Sequence, residues 1–182
     1  MSATELKWVR WRARLGFPLA AICLWLARPT PRWILAGAAI AVAGLAIRAA
    51  AAGYLRKGEA VAMSGPYART RNPLYLGSAL LAMGFVAASR SWAVAVLVAA
   101  YFLALYPFLM RREEAELRRR FGPPFNEYAK RVPLFWPRLR SEDGAGDTRF
   151  SWSQYARNRE YQVAMGMAAL LAVLWALSIW QR

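Results

Sequence analysis

The sequence contains no histidine and one cysteine, Cys23. Without imidazole, every mechanism that uses histidine as acid or base is excluded. A single thiol allows no intrachain disulfide, and one thiol without histidine argues against a zinc site. Cys23 lies inside an apolar block and reads as a packing residue, because the preceding Ile22 is not the small residue a lipid-attachment site would want. Acid is scarce too, with 10 Asp+Glu against 25 Lys+Arg and a formal net charge of +15. Long charged runs are absent, and the basic residues fall between apolar blocks rather than along one polar face. That distribution points to lipid headgroups rather than nucleic acid as the partner of the positive charge.

What the chain has in abundance is apolar sequence, 58% of 182 residues. Five apolar segments stand out, at about 15–27, 33–52, 74–89, 92–109 and 161–179. A bilayer span needs about 20 residues, with about 17 as a practical minimum. The second, fourth and fifth meet that length, and flanking Trp or Tyr extend the first and third into the interface. The basic start followed by apolar residues resembles a signal peptide, but no small-x-small site follows cleanly, so it reads as a retained first membrane helix. The expected fold is therefore all-α, a polytopic membrane protein of about five transmembrane helices forming one domain over 1–182. Small residues recur in the second segment (Gly37, Ala41, Gly44), a sign of close helix packing. A short acidic, glycine-containing linker at 141–148 precedes the last segment.

Orientation follows from charge. With the N-terminus inside, every Lys and Arg except Arg28, Arg32, Arg90 and Arg182 falls on the cytoplasmic side, as the positive-inside rule requires. The third and fourth segments form a hairpin around Ser89-Arg90-Ser91 and bring two polar stretches to the same, cytoplasmic, face. One reads Gly65-Pro66-Tyr67-Ala68-Arg69-Thr70-Arg71-Asn72-Pro73-Leu74-Tyr75-Leu76-Gly77; the other begins Arg111-Arg112-Glu113-Glu114 and runs to Val132-Pro133.

Residues 111–121 have helical composition and stop at Gly122-Pro123-Pro124. Glu114 with Arg118 and Glu116 with Arg120 stand at i,i+4, which fits an exposed helix continuing the fourth span. Glu113, followed at i+4 by Leu117, lies nearer the apolar face and is a candidate ligand for a positive group. In the first stretch Pro73 can open the third helix with Asn72 at its N-cap. Taken singly, Asn72 is then a cap, Arg71 a contact for lipid phosphate, and Tyr67 and Tyr75 interfacial aromatics.

Jointly these residues resemble the isoprenylcysteine carboxyl methyltransferase and phospholipid N-methyltransferase family. Gly65-Pro66-Tyr67 with Arg71 to Gly77 is similar to its first signature. Glu113-Glu114-Ala115-Glu116-Leu117 with Phe121-Gly122, Tyr128, Val132-Pro133 and Pro137 is similar to its second. The resemblant core covers about 56–137. The resemblance implies an S-adenosylmethionine-dependent enzyme with a cytoplasm-facing pocket. Carried over by motif, Tyr67, Asn72, Pro73, Leu74, Tyr75 and Glu113 would contact the cofactor, and Glu59, Ala60, Val61 and Ala62 would line the pocket. Arg71 and Arg111, with Glu113, would serve catalysis on a lipid-like acceptor at the membrane. Two positions depart: Asn72 stands where the family usually has histidine, and Leu109 where it has a substrate-contacting arginine. The final apolar segment is also additional to the better-known members. A non-catalytic membrane relative and, more remotely, a small transporter remain the alternative readings.

Overall fold

The computed structural model describes residues 16–139 and 149–181. The early basic residues Lys7, Arg10, Arg12 and Arg14, the 141–148 linker, Arg140 and Arg182 lie outside them. Among the described residues the chain is helical throughout, with no strand. The five apolar segments are helices: α1 (Gly16–Leu26), α2 (Pro31–Tyr54), α3 (Pro73–Ser89), α4 (Trp92–Phe121) and, after two short amphipathic pieces, α7 (Tyr161–Trp180). The short pieces are α5 (Pro123–Arg131) and α6 (Trp152–Arg157). Three helices, α2, α4 and α7, are long and apolar enough to cross a bilayer, and the protein is an integral membrane protein. The 17 residues of α3 rise about 25 Å against a hydrocarbon core of about 30 Å.

Local sequence sets most boundaries. Pro31, Pro73 and Pro123 each occupy a first helical position, where a missing N–H costs nothing. Ser91 caps α4 by accepting from Val94 N at 3.5 Å. Arg90, in the left-handed region at φ +49°, ends α3. The fourth apolar segment and the 111–121 stretch form one helix, as composition suggested. Gly122, at φ +58°, stops it, and Pro123 then opens α5, which the stop signal alone did not reveal. Asn72 does occupy the N-cap position of α3, but its side chain makes no cap bond.

The core of the bundle is the antiparallel pair α2–α3. A Cβ on Gly37 would lie 2.3 Å from the Gly84 carbonyl oxygen, and one on Gly44 would lie 2.7 Å from that of Gly77. Reciprocally, a Cβ on Gly84 would be 2.6 Å from the Gly37 oxygen and one on Gly77 2.8 Å from that of Gly44. Both helices thus place glycines seven residues apart at one seam, and the backbones touch. At the turn end, Arg28 N donates to Ser89 O at 2.8 Å, tying the α1–α2 turn to the α3–α4 turn. Cys23, Ala27, Ile34, Phe85, Ala88, Val94 and Leu174 pack together there, so the free thiol is a core group and α7 runs back toward that end. The opposite end gathers the two polar motif stretches.

Glycine contacts of this closeness admit no methyl. Gly37→Ala should destabilise the bundle by about 1–3 kcal/mol, read by unfolding in mixed micelles. Gly166→Ala, at a position with nothing within 4 Å, should be neutral or slightly stabilising.

Candidate active site

At the polar end the two motif stretches are stitched together by their backbones. Arg71 N donates to Pro133 O at 2.9 Å and Arg138 N to Arg69 O at 3.0 Å. Thr70, almost fully buried, donates through Oγ1 to Phe135 O at 2.9 Å. Asn72 Nδ2 donates to Leu134 O at 2.9 Å. The amide of Asn72 is therefore spent on the second stretch rather than on its own helix. Tyr128, on the buried face of α5, donates its hydroxyl to Tyr67 O at 2.8 Å and packs with Phe125 and Val132.

These contacts enclose a cavity of about 610 Å³, a size typical of small-molecule sites. Ala60, Val61, Ala62, Tyr67, Arg71, Asn72, Pro73, Leu74, Tyr75 and Glu113 all line it. Glu59 and Arg111 do not line it. Glu59 is exposed and faces Arg157 Nη1 at 3.9 Å, and Arg111 lies on the exposed side of α4. Several lining residues carried no motif signal. Tyr101 and Tyr106 come from α4, and Tyr106 meets Tyr75 edge to face at 5.4 Å. Arg48 comes from α2 and Glu160 from the residue before α7. Arg48 had a legible signal, as a charged residue inside an apolar helix; Glu160 had none.

Three carboxylates, Glu113, Glu114 and Glu160, border the cavity, and their partners differ. Glu114 is held by Arg71 and, at 2.7 Å, by Arg118, so its i,i+4 pairing is present. Arg118 also donates to Asn126 Oδ1 at 2.9 Å. Glu160 is held by Arg48 through a two-pronged pair, Nε to Oε2 and Nη2 to Oε1, each 2.9 Å. Glu113 makes no ion pair among the described residues. The expected Glu116–Arg120 pair is replaced: Glu116 binds Arg119, and Arg120 instead donates to Gly58 O, closing the 55–64 connection over α4. Arg71 keeps one buried donor, Nε, that has no hydrogen-bond partner among the described residues.

Tyr67 sits where these charges converge. Burial pushes its hydroxyl well above the ordinary tyrosine range; Glu113, Tyr128 and Glu160 push it further, and Arg48 opposes them. Burial likewise raises Tyr128, against Arg71. Both phenols therefore stay neutral at physiological pH and act as donors, not bases.

Residues 33–123 match the sequence profile of the phospholipid methyltransferase family. The chain belongs to that family. It is 33% identical over 158 residues to the cobalt-zinc-cadmium resistance protein CzcN of Cupriavidus metallidurans, covering 81% of this chain and 71% of the relative. It is also 33% identical over 137 residues to the nickel-cobalt-cadmium resistance protein NccN of Alcaligenes xylosoxydans xylosoxydans, covering 71% of this chain and 63% of the relative. No solved structure matches. The family match includes α2 to α4 and both charged motifs as far as Pro123, and it stops before α5, α6 and α7.

The raised tyrosines have a pH consequence. Folding favours their neutral form, so that contribution is complete below the unfolded value near pH 10 and is lost as pH rises above it. Stability should fall as pH rises above about 10, and Tyr67→Phe should flatten that decline. Chemical denaturation at pH 9 and at pH 11 checks both.

Proposed function

We propose that this protein is an integral membrane S-adenosylmethionine-dependent methyltransferase whose acceptor is a lipid-like amphiphile. The observation that carries the reading is a carboxylate: of the three acids bordering the cavity, arginines neutralise Glu114 and Glu160, and Glu113 makes no ion pair among the described residues. Glu113 is exposed at the edge of the cavity, where a carboxylate attracts a positively charged ligand. The unpartnered Arg71 Nε is a complementary donor for a carboxylate. Those two groups, in a cavity of this volume among tyrosine faces, suit a ligand that carries a sulfonium, an ammonium, a carboxylate and an adenine ring.

When bound, S-adenosylmethionine supplies an electrophilic methyl group for in-line displacement. The chain's contribution is then positioning, which accounts for much of the rate in such reactions. Glu113 and Tyr67 hold the cationic side of the ligand. Arg71, fixed by Glu114 and by its backbone bond to Pro133, holds the anionic side. Asn72 holds the two motifs together through Leu134. A carboxylate acceptor needs no proton removed, which accords with a chain without histidine and with neutral phenols in the cavity. Arg111, off the cavity, is outside this arrangement, and the acceptor's head is handled from Arg71 and Tyr75 instead.

The acceptor class rests on surroundings. Tyr75, Tyr101 and Tyr106 form the cavity side between α3 and α4, and the outer faces of those helices expose Met83, Val96, Leu103 and Phe108. An amphiphile in the bilayer can bring its head to that side, with the cavity, the α5 face and the N-terminus in the cytoplasm. The relatives' names favour one alternative, a membrane component of metal-ion resistance without methyl transfer. Among the described residues, no three His, Cys, Asp or Glu form a metal-holding group.

Three outcomes test the reading. Labelled methyl from S-adenosylmethionine should appear in a total lipid extract; label confined to a water-soluble metabolite pool would remove the lipid acceptor, and no label in either would favour the resistance component. Glu113→Gln should weaken cofactor binding about tenfold, the worth of one charge-assisted contact. Glu116→Gln should change it less than about threefold, since an exposed pair is worth about 0.2–1 kcal/mol. In a Cys23→Ser background, Arg90→Cys should react with impermeant maleimide in intact cells and Lys130→Cys should not.

A further inference from the structure

Besides Arg71, the cavity is bordered by Arg48, Arg56 and Lys57, and among the described residues Arg48 is the one of these three held by a carboxylate at hydrogen-bond distance. Arg48 projects from α2, and four of its contacts converge. Its Nε and Nη2 donate to the two oxygens of Glu160 at 2.9 Å each. Its Nη1 donates to Leu74 O at 3.0 Å and to Ser78 Oγ. Both side chains are largely shielded, at 15% and 10% exposed, yet both border the cavity. Glu160 comes from the C-terminal piece, beyond the family match that ends at residue 123. That piece is firmly docked: Asn158 Nδ2 donates to Ala52 O and Leu55 O at 2.9 Å each, closing the end of α2, and Ser151 N donates to Gly53 O at 3.0 Å.

We infer that Glu160 is a specificity-determining residue: it neutralises Arg48 and so removes one positive charge from a cavity that Arg56, Lys57 and Arg71 also border, which favours a positively charged ligand. The inference rests on the methyltransferase reading above and deepens it. A bare guanidinium in this position would oppose Glu113 and favour anions, because charges sharing a partly enclosed space interact weakly screened. With Glu160 in place, the Arg48–Glu160 pair is a neutral brace on the start of α3, and Arg48 adds no net charge to the cavity. The C-terminal segment is thus a wall of the site and not an accessory anchor.

The reaction offers a matched pair of probes. S-adenosylmethionine carries a sulfonium, and its demethylated product S-adenosylhomocysteine has a neutral thioether in the same framework. The dissociation constants of both are measured by titration on the full chain in nanodiscs. Glu160→Gln should weaken the cationic ligand relative to the neutral one by about tenfold, the effect of one uncompensated positive charge bordering the cavity. Arg48→Gln should shift the same ratio in the opposite direction. Arg48→Gln combined with Glu160→Gln should restore it to the wild-type value. A merely structural pair would weaken both ligands alike, in both single variants, and would leave the ratio fixed. Ratios that do not move, or that move the same way in the two single variants, overturn the inference. If Glu160→Gln does not fold, because it leaves a shielded arginine unpaired, Arg48→Gln and the double variant still decide it. Wild-type protein that binds neither probe overturns the methyltransferase reading and the inference together; binding of both with fixed ratios overturns the inference alone.

Discussion

The close approach of α2 and α3 is the constraint on which the rest of the structure depends. Gly37 and Gly44 face Gly84 and Gly77 with backbone against backbone, and in a lipid environment such packing replaces the hydrophobic drive that water supplies. The seam fixes the axial register of the two helices. That register carries Arg48 to the level of Leu74 and Ser78, and it packs the Arg48 stem directly over Gly77, where a Cβ would sit 2.4 Å from Cγ. A shift along the seam would therefore remove the brace on the first turn of α3. Asn72 to Tyr75, which begin that turn, would lose their place on the cavity with it.

The acids Glu114, Glu116 and Glu160 are each placed on this frame against an arginine. Arg71 and Arg118 close on Glu114, Arg48 closes on Glu160, and Arg119 takes up Glu116 at the surface. The pairs do more geometric than energetic work. Surface pairs are worth little, and shielded pairs roughly balance their own desolvation. Their effect is to hold α4, the 69–72 stretch, α2 and α7 in fixed relation. Among the described residues they leave Glu113 as the cavity acid without an ion pair and the Arg71 Nε as a buried donor without a partner, in a cavity of about 610 Å³ that Arg56 and Lys57 also border.

Much of this was legible in the sequence. Segment lengths and breaker residues gave the five apolar helices, and the motif spacing brought Tyr67, Arg71, Asn72 and Glu113 to one cavity. Glu59 was carried over by position and Arg111 was chosen as the nearest basic residue to Leu109; neither lines the cavity. The Glu116–Arg120 pair failed for a related reason: i,i+4 spacing permits a contact, but Arg120 found the Gly58 carbonyl and Glu116 took the nearer Arg119. Asn72 as a cap was right in place and wrong in bonding: its side chain accepts from no N–H of the first turn and instead donates through Nδ2 to Leu134 O. Glu160 was invisible because its partner lies over a hundred residues away, and no local pattern encodes such a contact. The glycines of α2 were noticed, but their partners on α3 could be named only once the register was known.

The central claim is that the cavity bordered by Tyr67, Arg71 and Glu113 holds S-adenosylmethionine. Isothermal titration of the full chain in lipid nanodiscs tests it most directly. The account predicts saturable binding at one site per chain, abolished by filling the cavity with Ala62→Trp. Heats indistinguishable from dilution, or binding untouched by that substitution, would contradict it.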